Sequence, residues 1–97
     1  MVMQCWRTIA GDELTWRSLE GDYVVYAALS GHTHVLDILS GEVLRAILEG
    51  QHGSEALEEV VARFLEVPVG SELAATLKTV IDRLKSAGLI EEHPDCR

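Results

Sequence analysis

An α+β fold, three antiparallel strands followed by three helices, is what this amino-acid sequence predicts, and three observations carry the prediction. Between Leu14 and Asp37 the chain forms three short β-rich runs separated by the turn signals Glu20-Gly21-Asp22 and Ser30-Gly31. From Ser40 onward the apolar residues recur three and four apart, the spacing of one helix face. Each of the three helical stretches opens on a serine, and Gly50, Pro68 and Gly88 punctuate their ends.

Leu14 to Leu19 alternates well enough for the first strand, and Tyr23 to Ala28 is the most β-rich run. His32 to Asp37 is the third strand, with Thr33 and Val35 on one face and His34 and Leu36 on the other, because side chains alternate along a strand. Trp6 to Ile9 reads as a further short strand. Helix one places Val43, Leu44, Ile47 and Leu48 on its apolar side, with Ser40 as N-cap and Gly50 just past its end. Ser54 caps helix two, where Leu57, Val60, Val61, Phe64 and Leu65 form the stripe and Glu55, Glu58, Glu59 and Arg63 the wet face; Pro68 closes it. Ser71 caps helix three, where Leu73, Leu77, Val80, Ile81 and Leu84 keep the spacing up to the C-terminal Gly88, and Leu89-Ile90 fold back apolar. An acid in each expected first turn (Glu42, Glu55, Glu72) suits the helix dipole.

At 97 residues the chain is expected to form a single domain over 1–97, with 1–13 as an N-terminal extension outside the main pattern. A hydrophobic content of 47% with 25% charged residues is that of a soluble domain, and the longest apolar runs are too short to span a bilayer. The first residues, MVMQCWRTIAGDE, lack a basic region followed by an apolar run, so a cytoplasmic address and no membrane partner are expected. Cys5 and Cys96 have no close-spaced partners, which favours two reduced thiols in such a compartment, the alternative being a bridge between them that ties the termini together. Sixteen acids against eight Lys and Arg give a net charge of −8, which disfavours nucleic acid, whose binding depends on cations neutralising phosphates.

The chemistry-bearing signals are sparse. There is no G-x-S-x-G, no phosphate loop and no Cys/His arrangement that recommends a nucleophile, so the expectation is a protein without enzymatic activity and without a cofactor. His32 and His34 share a strand face, a spacing that suits zinc, but two ligands do not make a site and no defined spacing supplies a third from Asp37, His52, His93 or Cys96. Glu58 and Glu59 are adjacent on a helix and therefore do not face each other. Trp6, Trp16, Tyr23 and Tyr26 concentrate aromatic area in the N-terminal third, where most are expected to fill the core between sheet and helices, the alternative being that one or two line a peptide groove.

From Tyr23 to Ile90 the chain resembles the PqqD-like peptide chaperones, the leader-peptide recognition domains of ribosomal peptide modification systems, and more narrowly the PqqD-type members of HPr-kinase-related gene clusters. The residues that carry the resemblance are Trp16-Arg17, the strand Tyr23-Val24-Val25-Tyr26, the run Ser30-Gly31-His32-Thr33-His34-Val35-Leu36-Asp37, then Val43-Leu44 with Leu48-Glu49-Gly50, Ser54-Glu55-Ala56-Leu57, and Leu84 to Ile90. The segment Gln51-His52-Gly53 inserts a His-Gly relative to the usual short turn. The resemblance implies a winged-helix-like fold in which a leader peptide adds as a strand to the third strand's open edge, in a groove walled by helix three. On that basis a precursor peptide is expected along Thr33, His34, Val35, Leu36 and Asp37, its apolar side chains meeting an exposed flank of helix three around Leu77, Ile81 and Leu84, and its acids pairing with Lys78 or Arg83. A modifying enzyme would be the second partner. The alternatives are a DNA-binding regulator reading with helix three, where Lys78, Arg83 and Lys85 are offset by Glu72 and Asp82, and a structural subunit that joins a homodimer.

Overall fold

The computed structural model describes residues 5–9, 13–50, 53–68 and 70–92. Its elements run β1 (Trp6–Thr8), β2 (Leu14–Leu19), β3 (Asp22–Ala27), β4 (His32–Leu36), α1 (Ile38–Leu48), α2 (Ser54–Leu65), α3 (Ser71–Ser86) and β5 (Ile90–Glu92). The expected α+β order holds: β2, β3 and β4 form a three-stranded antiparallel sheet in that spatial order, and three helices follow. A second, two-stranded sheet pairs β1 with β5, antiparallel, with Arg7 opposite Glu91 and their side chains 2.7 Å apart in a salt bridge.

Glu20 and Gly21 make the tight connection between β2 and β3, both with positive φ (49° and 90°), as a two-residue hairpin of the type that matches strand twist requires. Asp22 is already the first residue of β3 rather than part of the turn. The inner face of the sheet, carrying Val25, Ala27 and Leu36, packs on α1 through Val43, Leu44 and Ile47. The remaining core comes from Leu57 and Val61 of α2 and from Leu73, Leu77, Val80, Ile81 and Leu84 of α3, closed below by Leu89 and Ile90. Each such side chain removed from water contributes about 1.5–3 kcal/mol, so the three stripes read from the sequence are what hold the layers together.

The caps sit earlier than the serines suggested. Asp37, in extended conformation, caps α1 by accepting the Ser40 amide at Oδ1, 3.3 Å away, while Ser40 lies inside the helix, fully buried, its hydroxyl without a hydrogen-bond partner among the described residues. A carboxylate three residues before an amide reaches it as well as a hydroxyl would, and the helix therefore starts at Ile38, leaving Glu42 in the second turn. Gly53 and Gly70, not Ser54 and Ser71, are the N-caps of α2 and α3, and neither makes a side-chain cap. At the C-terminal end of α3 the expectation holds: Gly88 has φ 76°, and the amide of Leu89 returns to the Leu84 carbonyl at 3.1 Å, which turns Leu89 into the core.

Cys5 is disulfide-bonded, against the expectation of reduced thiols; Cys96 lies outside the described residues, as do His52 and His93. No helix is long and apolar enough to cross a membrane among the residues described.

Candidate functional site

The hairpin between β2 and β3 sets which way every backbone group in the sheet points. A two-residue turn requires Leu19 and Asp22 to exchange hydrogen bonds, and at the other end of the same pair the Ala28 amide donates to the Glu13 carbonyl at 3.0 Å. By strict alternation Asp22, Val24 and Tyr26 then direct their amides and carbonyls toward β2, and Tyr23, Val25 and Ala27 toward β4. Their partners in β4 are Leu36, His34 and His32, so these three complete the internal ladder. Thr33 and Val35 direct their amides and carbonyls outward, to an edge on which no strand pairs among the described residues.

Side chains follow the same parity. His32, His34 and Leu36 share the inner face, where the two imidazole rings stand edge to face with centroids 6.2 Å apart, and Leu36 is 4% exposed. Thr33 and Val35 share the outer face, and Val35 is 70% exposed, beside Val24 in the register. The β4 run His32-Thr33-His34-Val35-Leu36 contains no acid, Lys or Arg. The other edge differs. Strand β2 carries Arg17 and is bracketed by Glu13 and Glu20, charges of the sort that discourage edge pairing.

Helix α3 divides the expected site residues: Leu77, Lys78 and Ile81 line one cleft, whereas Arg83 lies beside Asp37. Leu77, Ile81 and Leu84 were expected on an exposed flank, but they are 5%, 4% and 0% exposed, because their spacing is the core stripe and α1 and α2 cover it. Arg83 faces the sheet end: its Nη1 lies 3.5 Å from Asp37 Oδ1, in a pair more than half exposed on both sides. Lys78 is five residues earlier, about 140° away around the helix axis, so one strand lying along α3 cannot meet both cations. The structure thus brings Arg83 to Asp37 at the end of β4 and sends Lys78 to another side of α3.

Lys78 lines a cleft of about 420 Å³ together with Lys85, Asp82 and Ile81 of α3, Ser54 and Glu58 of α2, and Trp6. Lys85 Nζ stands 5.2 Å from the centre of the Trp6 ring, a cation–π contact over a side chain that is itself buried. This position of Trp6 had no local signal, since it depends on β1 pairing with β5 across most of the chain length. Of the other aromatics, Trp16 and Tyr23 pack edge to face against the core, with centroids 5.7 Å apart, and Tyr26 is exposed on the outer face. The Tyr23 hydroxyl donates to Glu42 Oε1 at 2.6 Å; that hydrogen bond, burial and the Glu42 charge raise the Tyr23 pKa above its ordinary 10.0, with Arg45 over the ring opposing. Gly41 is buried against the Tyr23 ring, where any β-carbon would overlap it.

Among the described residues no group of three His, Cys, Asp or Glu side chains converges as a metal site would require. No protein-family model, curated protein or solved structure matches this chain.

Proposed function

We propose that this protein is a non-catalytic peptide-binding adaptor, which captures a precursor peptide by strand addition along β4 and presents it to a modifying enzyme. The observation that carries the reading is the outer edge of β4: Thr33 and Val35 turn their backbone donors and acceptors outward on a strand that lacks the charges found along β2. Added main-chain hydrogen bonds would supply affinity, and the alternating rows of β4 would supply selectivity, with Thr33 and Val35 on one side and His34 and Leu36 on the other. The ordered resemblance to PqqD-like peptide chaperones from Tyr23 to Ile90 supports the same reading, and the residues assigned to contact are Thr33, His34, Val35, Asp37 and Arg83.

Proline substitution separates the edge from the ladder. Val35→Pro removes an outward amide and should leave the circular dichroism spectrum unchanged while abolishing binding of a labelled precursor peptide encoded beside the gene. Wild-type affinity in a folded Val35→Pro protein would rule out augmentation at this strand.

A further inference from the structure

We infer that the peptide taken up along β4 is cationic, with Lys or Arg placed N-terminal to the paired segment; this rests on the strand-addition reading. The register that pairs Tyr23 with Leu36 brings the β2–β3 turn and the end of β4 to one end of the sheet, so Glu20, Asp22 and Asp37 gather there. Arg83 offsets only Asp37, through a long and exposed contact. Arg17 lies on β2, two strands from the open edge, and Lys78 belongs to the cleft on another side of α3. Among the described residues, the opposite end of the sheet carries His32 on β4 and a single acid, Glu13, two strands from the open edge.

An incoming strand therefore meets a carboxylate-rich end on a chain of net charge −8. Of the cations that an acidic peptide would need, Arg83 pairs with Asp37, Arg45 lies over the Tyr23 ring, and Arg17 and Lys78 lie away from the open edge. A field of this sign concentrates positively charged ligands and repels negative ones before contact, and it selects against acidic competitors at the edge itself. A strand added antiparallel to β4 begins beside Leu36 and Asp37 and ends beside His32, which puts the N-terminal flank of the peptide at the acids.

The test is a displayed library of random short peptides, sorted at low salt against the full chain, each survivor then being measured against Val35→Pro, with Thr33→Pro as a second outward-facing variant should the first not fold. The expected survivors bind the wild type, are lost on the proline variant, and carry Lys or Arg ahead of an alternating segment. Reversing those residues to Glu in one survivor should weaken it by about tenfold, a gap that narrows as salt shortens the reach of the field. Asp22→Lys, which leaves the α1 cap at Asp37 intact, should shrink the same gap. Proline-sensitive survivors that are neutral or acidic would overturn the cationic inference and keep strand addition. Basic survivors insensitive to proline would overturn it as mere surface attraction, and a library with no proline-sensitive binder would overturn strand addition and the inference with it.

Discussion

Val35 and Leu36 are neighbours in sequence and opposites in structure. Leu36 faces the helices, is buried in the core that also holds Val25 and Val43, and gives its amide to the internal ladder; Val35 faces away from them, is exposed, and gives its amide to the open edge. The same division runs across the whole sheet. The inner face carries the Trp16–Tyr23 contact, the Tyr23–Glu42 hydrogen bond and the approach of Gly41, whereas the outer face carries Leu19, Tyr26 and Val35 largely in the open. In a two-layer domain one sheet face supplies stability and the other is left for something else, and parity alone decides which residue serves which.

The sharpest way to break this contrast is to place proline on each side of it. Leu36→Pro removes a ladder donor and a buried side chain, and it should cost about 5 kcal/mol, enough to unfold a domain of this size; Val35→Pro should cost about 1 kcal/mol, both read from urea midpoints. Comparable losses at the two sites would overturn the assigned ladder direction. Gly41→Ala comes next: the new methyl meets the Tyr23 ring, which is held by Glu42, and a loss of about 2 kcal/mol is expected in thermal or chemical unfolding.

Smaller effects sharpen the inner face. Tyr23→Phe removes the hydrogen bond to Glu42 and should cost about 1 kcal/mol near neutral pH. Because the folded pKa of Tyr23 is raised, its contribution is complete below the unfolded value near 10 and is lost as pH rises through the folded value, so wild-type stability should fall faster than that of the Phe variant in alkaline titration. Parallel alkaline curves would show that the hydroxyl adds nothing. Ser40→Ala is the least: it deletes a buried hydroxyl with no partner among the described residues, and it should be neutral or stabilising by up to about 1 kcal/mol.

The site was legible in part. The two rows of β4 follow from alternation at His32 to Leu36, which the sequence alone carries. Which of Val35 and Leu36 donates outward was not, since that depends on the hairpin length at Glu20-Gly21 transmitted through β3. Helix three misled for a different reason. An apolar stripe marks the buried face, so Leu77, Ile81 and Leu84 pack into the core, Leu77 and Ile81 also lining the cleft beside Lys78, and Lys78 and Arg83 lie on different flanks.

What the sequence by itself determined is local: the two periodicities, the turn at Glu20-Gly21, the end of α3 at Gly88 and the order of strands before helices, each governed by a few consecutive residues and their backbone preferences. What only the tertiary structure decided is long-range. The pairing of Trp6 to Thr8 with Ile90 to Glu92, the cleft that Trp6 forms with Lys78 and Lys85, and the gathering of Asp22 and Asp37 at one sheet end all join residues that share no local pattern. Such contacts are selected by the packing of whole elements, because a three-residue strand has too few hydrogen bonds to form alone and persists only where the rest of the core has already brought its partner beside it.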